Sequence, residues 1–245
     1  MTRRLELAIL PQPDDSTCGP TCLQAVYRFH GDRVHLASLI AEISPLATGG
    51  HLAVQLACHA LKSGYDAIIY TYNLRLFDPT WFDGEVDIVD RLRAQAKIKK
   101  GRRIKSATRH YVEFLELGGD LRYEDLTEDL IVGYLEDGLP VLTGLSATYL
   151  YGCAREVGDD HLSYDDVGGV PTGHFVVLYG HDKRKGAILI ADPLQDNPGF
   201  RSRYYSLPSS RVIAAILLGD VTWDANLLIL SPSKGRKKVT KGRRS

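Results

Sequence analysis

Residues 12–30, QPDDSTCGPTCLQAVYRFH, constrain this chain more than any other stretch. Residues 12–17 are polar loop material, and Cys18-Gly19-Pro20 opens a helical pattern. Proline fits the first turn of a helix, where its missing N–H has no intrahelical partner to lose. Leu23, Val26, Tyr27 and His30 then recur at helical spacing, with Cys22 beside them. Cys18 is therefore expected at the mouth of a buried helix. Unpaired N–H groups and the helix dipole at that end favour a thiolate, the nucleophilic form of cysteine. A buried, inert, apolar cysteine is the ordinary alternative at such a position.

The whole chain narrows the choices. Its 245 residues can bury a large core. Thirty basic and thirty acidic residues cancel, so no global field selects nucleic acid or an anionic membrane. Four cysteines, Cys18, Cys22, Cys58 and Cys153, are too few for a secreted disulfide scaffold. The opening MTRRLELAIL is too short an apolar run for a signal peptide, and no later run reaches membrane-spanning length. A cytoplasmic, reducing location is expected, where a free thiol persists.

In chain order, residues 5–10 read as a strand leading into the loop before Cys18. Helices follow at 34–43 and 51–62, with Leu36, Leu39 and Ile40 facing inward on the first. His51 and His59 lie eight apart with no acid nearby on their helix, which is poor metal spacing, and both read as surface or packing residues. Cys18 and Cys22 have no matching second pair for a metal clip. Residues 67–72 form a strand and 86–92 a helix. Nine Lys or Arg lie within 91–109, but flanking acids cancel much of the charge and no aromatics interleave. This run reads as a solvated helix and loop with a basic face, a candidate rim for a substrate groove. A helix at 111–117, an extended piece at 120–123, a Thr127-capped helix at 128–136 and a strand at 141–146 follow. Residues 158–166 are acidic and polar, match no calcium loop, and read as a flexible loop beside a cleft.

The second informative stretch is 173–193, GHFVVLYGHDKRKGAILIADP. Strands at 174–180 and 186–192 form a hairpin. A symmetric hairpin without a bulge opposes His174 and Asp192 directly, with Cβ atoms roughly 5 Å apart. That arrangement lets an acid orient an imidazole and stabilise its charged form. A slip of one residue would put the pair on opposite faces. Each residue alone is an ordinary strand-end residue. Strands at 201–207 and 226–230 and a helix at 208–219 complete the pattern, with Trp223 read as packing near the His174 strand. Residues 234–245 hold seven Lys or Arg and no acid, so a disordered basic tail is expected.

This ordered set of motifs resembles the papain-like cysteine peptidase superfamily, nearest the bacterial leader-peptidase (C39-like) branch and its stand-alone relatives. The carrying residues are Gln12 six positions before Cys18, Cys18-Gly19-Pro20, Gly173-His174-Phe175-Val176-Val177 and Ala191-Asp192-Pro193. The resemblance spans about residues 10–230. It implies an α+β fold in which the nucleophile helix of an N-terminal helical part packs on a C-terminal antiparallel sheet. It implies Cys18 as nucleophile, His174 as base, Asp192 as orienter and Gln12 as oxyanion donor. The expected organisation is one domain over 1–233, with the N-terminal strand, a helical half at about 12–138, a sheet half at about 139–233, and then the tail. Thr17 departs from the branch, whose members commonly carry an acid there, and residues 75–125 have no counterpart. The implied activity is thiol-dependent hydrolysis of a peptide or isopeptide bond, without cofactor or metal, on a peptide or protein substrate. Acyl transfer through the same thioester, or a non-catalytic peptide-binding module, are the other readings. Nucleic acid is expected as a partner only through the basic tail.

Overall fold

The computed structural model describes residues 2–46, 49–158 and 163–234. Its centre is a mixed sheet, antiparallel except for one pair. Strand β1 (Thr2–Arg4) leads to helices α1 (Cys18–Phe29), α2 (Leu36–Glu42) and α3 (Ala53–Lys62), and then to strand β2 (Tyr65–Thr71). Helices α4 (Ile88–Ile98) and α5 (Arg102–Glu116) come next, followed by β3 (Asp120–Arg122), α6 (Glu128–Glu136) and β4 (Val141–Ser146). A short helix α7 (Ala147–Tyr151) precedes the small pair β5 (Glu156–Val157) and β6 (Ser163–Tyr164). The chain closes with β7 (Gly173–Asp182), β8 (Ala187–Ala191), β9 (Tyr204–Pro208), α8 (Ser209–Leu218) and β10 (Asn226–Pro232).

The sheet order is β3-β2-β10-β4-β7-β8-β9, with β1 also on β7. The last strand therefore lies between β2 and β4, so strands from both ends of the chain share one hydrogen-bonded surface. Only β2 and β3 run parallel. β7 is apolar almost throughout, and its eight middle residues are buried. Such a run needs cover on both faces. Phe175, Val177 and Tyr179 join one core with α1 and α3, while Val176 and Leu178 join a second core with α6 and α8. The α+β architecture, with α1 against an antiparallel sheet, is as expected. α1 buries Cys22, Leu23, Ala25, Val26 and Tyr27, and its Cys22 Sγ donates to the Phe175 carbonyl at 3.2 Å.

Three local expectations are corrected. Residues 5–10 form no strand, although Leu7 and Ile9 are buried in the expected alternation. The Leu5 N–H still donates to the Tyr179 carbonyl (2.8 Å), but at Ile9 side chains take over: its N–H donates to the Tyr204 hydroxyl (2.9 Å) and its carbonyl accepts from Arg203 (2.6 Å). The basic run is helix and loop as expected, but its second half is helical too: 91–98 belong to α4, 99–101 form the loop, and 102–109 open α5, which starts well before the expected helix at 111–117. Ile104, Ala107, Thr108, Tyr111 and Phe114 make the buried stripe of α5, at helical spacing. Helix α7 had no expected counterpart; it is one short turn, capped by Ser146 and ended by Gly152 at φ 67°.

The α1 packing has a direct test. Leu23 is fully buried on the helix that carries Cys18. Leu23→Ala is expected to cost about 2–5 kcal/mol through lost contacts and a residual cavity. Urea titration should show a lower midpoint with an unchanged slope.

Candidate active site

Cys18 is the first residue of α1, and no side chain caps that helix end. The first-turn N–H groups thus remain directed at whatever faces the cysteine. The loop before it is held from two sides. Asp14 accepts from the Ser16 N–H (2.9 Å) and hydroxyl (2.7 Å), and its carbonyl accepts from the Thr17 hydroxyl (3.0 Å). His51, buried, has Nδ1 at 3.2 Å from the Ser16 carbonyl oxygen and Nε2 at 2.9 Å from that of Ile43. His51 thus ties the loop to the end of α2. His59 contacts the Tyr27 hydroxyl (2.8 Å) and Glu42 (3.0 Å). Both histidines are packing residues. Among the described residues no cluster of three His, Cys, Asp or Glu is placed to hold a metal ion.

His174 and Asp192 are 6 % and 0 % exposed, with His174 Nε2 2.9 Å from Asp192 Oδ1. The Cys18 side chain is the other hydrogen-bond partner of the imidazole. Asp192 is held on all sides. Its Oδ1 also accepts from the Leu194 N–H (2.9 Å), and its Oδ2 accepts from the hydroxyls of Tyr151 (2.9 Å) and Tyr205 (2.6 Å). Burial alone would raise the Asp192 carboxyl, but the His174 charge and these donors hold it below its ordinary value. Burial would lower His174, yet the Asp192 charge and hydrogen bond, with Cys18, push it up to about 10. The two shifts describe one ion pair. Burial raises the Cys22 and Cys153 thiols and pushes Cys58 up to about 12.

The pair forms, but not by the expected register. The ladder pairs Val177 with Ala191 and Leu178 with Ile190, then shifts between Leu178 and Gly180, so that Gly180 meets Leu189. The hairpin is therefore not symmetric: it contains an irregularity at Tyr179. Continuing the observed register puts Asp192 beside Val176, one diagonal from His174. The offset is two residues, an even number, so both side chains stay on one face. That face is the one that packs on α7 and α8, where Tyr151 and Tyr205 also lie. Cys18 belongs to the opposite core and meets His174 near the start of β7.

Gln12 lies beside the acid's turn, where its N–H donates to the Pro193 carbonyl (2.9 Å). Its side-chain Nε2 donates to the Asp14 carbonyl (2.9 Å), while its buried Oε1 has no partner.

A cleft of 460 Å³ opens over Cys18 and His174. Ser16 and Gly50 line the nucleophile side, and Pro171, Thr172 and Gly173 face them. Glu156 and Gly158 bring in the 152–172 segment, and Arg103 of α5 brings in the central region. Both regions thus wall the site. Of the basic run only Arg103 reaches it; Lys97, Lys105 and Arg109 line a separate hollow between α4 and α5. Asp159, Asp160, His161 and the basic segment from residue 235 lie outside the described residues. Trp223 packs against the first core, with Arg103 over its ring at 5.4 Å. Sequence reasoning missed Tyr151, Tyr205, Arg103 and Asp224. The helical stripe of α5 could have shown which side Arg103 occupies; the others carried no local signal.

The profile of the Peptidase_C39 like family matches residues 4–209. Comparison with curated proteins finds no match. Among solved structures, a putative C39-like peptidase from Bacillus anthracis is similar at 16 % identity and a TM-score of 0.50, covering 96 % of this chain and 100 % of that one. The peptidase domain of Streptococcus ComA, a bifunctional ABC transporter, aligns at 16 % identity and a TM-score of 0.42, over 93 % and 100 % of the two chains. Xylellain, a cysteine protease from Xylella fastidiosa, aligns at 13 % identity and 0.44, over 95 % and 86 %.

Two measurements check the electrostatics. Iodoacetamide at neutral pH should label Cys18 at least about 10-fold faster than Cys22, Cys58 or Cys153, read by peptide mass spectrometry. Asp192→Asn should lower the His174 pKa from about 10, read by histidine NMR titration. The sign follows from linkage. His174 is raised on folding, so its contribution to stability is complete below the ordinary histidine range and lost as pH rises through about 10. Asp192 is lowered, so its contribution is lost as pH falls through its native value below 3.8.

Proposed function

The chain belongs to the Peptidase_C39-like family of cysteine peptidases, and from that premise we propose that it hydrolyses a peptide or isopeptide bond through a thioester on Cys18. The observation that carries this reading is the buried chain from Cys18 through His174 to Asp192, opening on a cleft at a helix N-terminus. In the proposal, His174, oriented by Asp192, takes the Cys18 proton, which gives the attacking thiolate and an imidazolium. The thiolate attacks the acyl carbon. The Cys18 N–H and the second hydrogen of Gln12 Nε2, the one not donated to Asp14, receive the developing oxyanion. The imidazolium gives its proton to the leaving amine. Water then enters, loses a proton to the neutral imidazole and attacks the thioester, which releases a carboxylic acid and restores the thiolate. Every proton moves through the one ring that Asp192 orients.

Asp192 is a positioning residue in this scheme, and Tyr151 and Tyr205 position it in turn. The substrate is a peptide or protein segment that reaches the bottom of the cleft. The described residues contain no helix long and apolar enough to cross a membrane, and all four cysteines are free. We place the activity in the reducing cytoplasm on that basis. We also take residues 1–233 as one papain-like unit, a reading supported by the central place of β10 among strands from both halves.

Incubation with cell-derived peptides in heavy-oxygen water tests the reaction. Hydrolysis should place heavy oxygen at a new carboxyl terminus, and Cys18→Ala should abolish it. Asp192→Asn should lower the rate about 10²–10⁴-fold, the range for a mis-set acid–base group. If an added amine is incorporated and no labelled carboxylate forms, the enzyme is an acyltransferase instead.

A further inference from the structure

Asp224 is an acid that this mechanism does not use, yet it lines the same cleft as Cys18 and His174. It is 7 % exposed, and its Oδ1 has no hydrogen-bond partner. An isolated buried carboxylate is costly, and native proteins keep one only where something offsets it. Nothing within the described residues completes the offset. The Thr222 hydroxyl lies beside the carboxyl and offsets part of the burial, but it donates to the Gly219 carbonyl (3.0 Å). Arg103 acts on it through space but makes no ion pair with it: Nη2 donates to the Thr222 carbonyl (2.6 Å), and the guanidinium lies over Trp223. His174 is committed to Asp192 and Cys18. Burial pushes Asp224 up to about 7 against the influence of these groups.

The fold is shaped to hold this carboxyl in place. Trp223 just before it has φ 74°, the one positive φ outside glycine among the described residues. An aromatic residue in that region is strained and calls for a reason. The turn sends the Trp223 ring towards Arg103 and the next side chain to the cleft wall. On the strand that carries His174, a Cβ at Gly173 would collide with the Asp224 carboxyl and the Thr222 hydroxyl. On β4, a Cβ at Gly144 would stand 2.5 Å from the Asp224 carbonyl oxygen. Asp224 therefore sits where only glycine leaves room for it. Among the described residues Asp15 and Glu156 are the cleft's further acids, and Arg103 is its one Lys or Arg.

We infer that Asp224 is the specificity residue of the cleft and receives a cationic group of the substrate, an ammonium such as a lysine side chain, next to the scissile acyl carbon. A bound ammonium supplies the missing partner of Oδ1 and the missing countercharge together. A neutral side chain of equal length supplies neither, and an acid would meet three carboxylates. The inference rests on the reading of Cys18 as the nucleophile.

Peptidyl chloromethyl ketones with lysine, norleucine or glutamate at the first or second residue from the ketone test it. Their rates of Cys18 alkylation are read by intact-protein mass spectrometry. The lysine ketone should react at least about 10-fold faster than the norleucine one, and the glutamate ketone slowest. The lysine-to-norleucine ratio should fall towards one in Asp224→Asn. It should also fall in Thr222→Val, which removes the hydroxyl beside the carboxyl and serves if the first variant does not fold. Equal rates in the wild-type protein, or a ratio untouched in the folded variants, overturn the assignment. A second arm separates the two readings. Nα-acetyl-lysine amide and Nα-acetyl-norleucine amide are titrated into Cys18→Ala protein, with and without the Asp224 change, and binding is read by NMR. If no ketone alkylates Cys18 but the lysine amide still binds at least about 10-fold tighter in an Asp224-dependent way, the nucleophile reading fails and the subsite stands. If the amides bind alike, the subsite is wrong whatever Cys18 does.

Discussion

The buried carboxylate of Asp192 is the interaction on which the rest of the site depends. A charge with no solvent must be met by donors, and here four converge on two oxygens: His174, the Leu194 N–H, Tyr151 and Tyr205. Each donor comes from a different element, namely β7, the turn after β8, α7 and β9. The carboxylate thus acts as a node that joins these elements as well as an electrostatic partner for the imidazole. Two tyrosine hydroxyls complete the shell without adding charge, which leaves His174 as the only cation of the node. The imidazole is held protonated because that is the state the buried acid can tolerate. The chemistry proposed at Cys18 would follow from a demand made by packing.

The sheet explains how such a node can form near a strand start. β7 has both faces covered, so every side chain along it is assigned to one core or the other. His174 faces the α8 side, while the helix bearing Cys18 packs on the opposite side. In the middle of the sheet the strand itself would separate them. Near its start they meet, and the cleft opens there. The chain needs the loop at 14–17, braced by Asp14 and His51, to bring the helix end to this position.

Two buried acids flank His174 in opposite situations, Asp192 behind the ring and Asp224 on the cleft wall. Asp192 is satisfied and stays ionised; Asp224 has an unpartnered oxygen and is raised to about 7. Environment alone separates them, since the residue type is the same. Glycines 144 and 173 and the strained turn at Trp223 show that the second acid is accommodated by the surrounding backbone. The central helices α4 and α5, which the family resemblance left without a counterpart, contribute Arg103 to that environment.

Local order and periodicity determined much of this protein. The helix from Cys18, the apolar β7 segment, the Thr127 cap and the membership of Cys18, His174 and Asp192 in one site were legible, because each depends on neighbours a few residues away or on a short ordered motif. The His174–Asp192 pairing was legible only in its parity. A symmetric hairpin was assumed; the turn pairs Asp182 with Ala187, three residues off that register, and the irregularity at Tyr179 takes back one, so the net offset of two spared the shared face and changed the partner. Residues 5–10 carried the burial alternation of a strand, but what pairs with the Ile9 backbone was decided by Tyr204 and Arg203, nearly two hundred positions away. The tyrosines on Asp192, the bracing role of His51 and the place of Asp224 beside His174 were likewise set by long-range packing. A side chain's neighbours across a sheet depend on register and strand order, and those are properties of the whole fold that no short window of sequence contains.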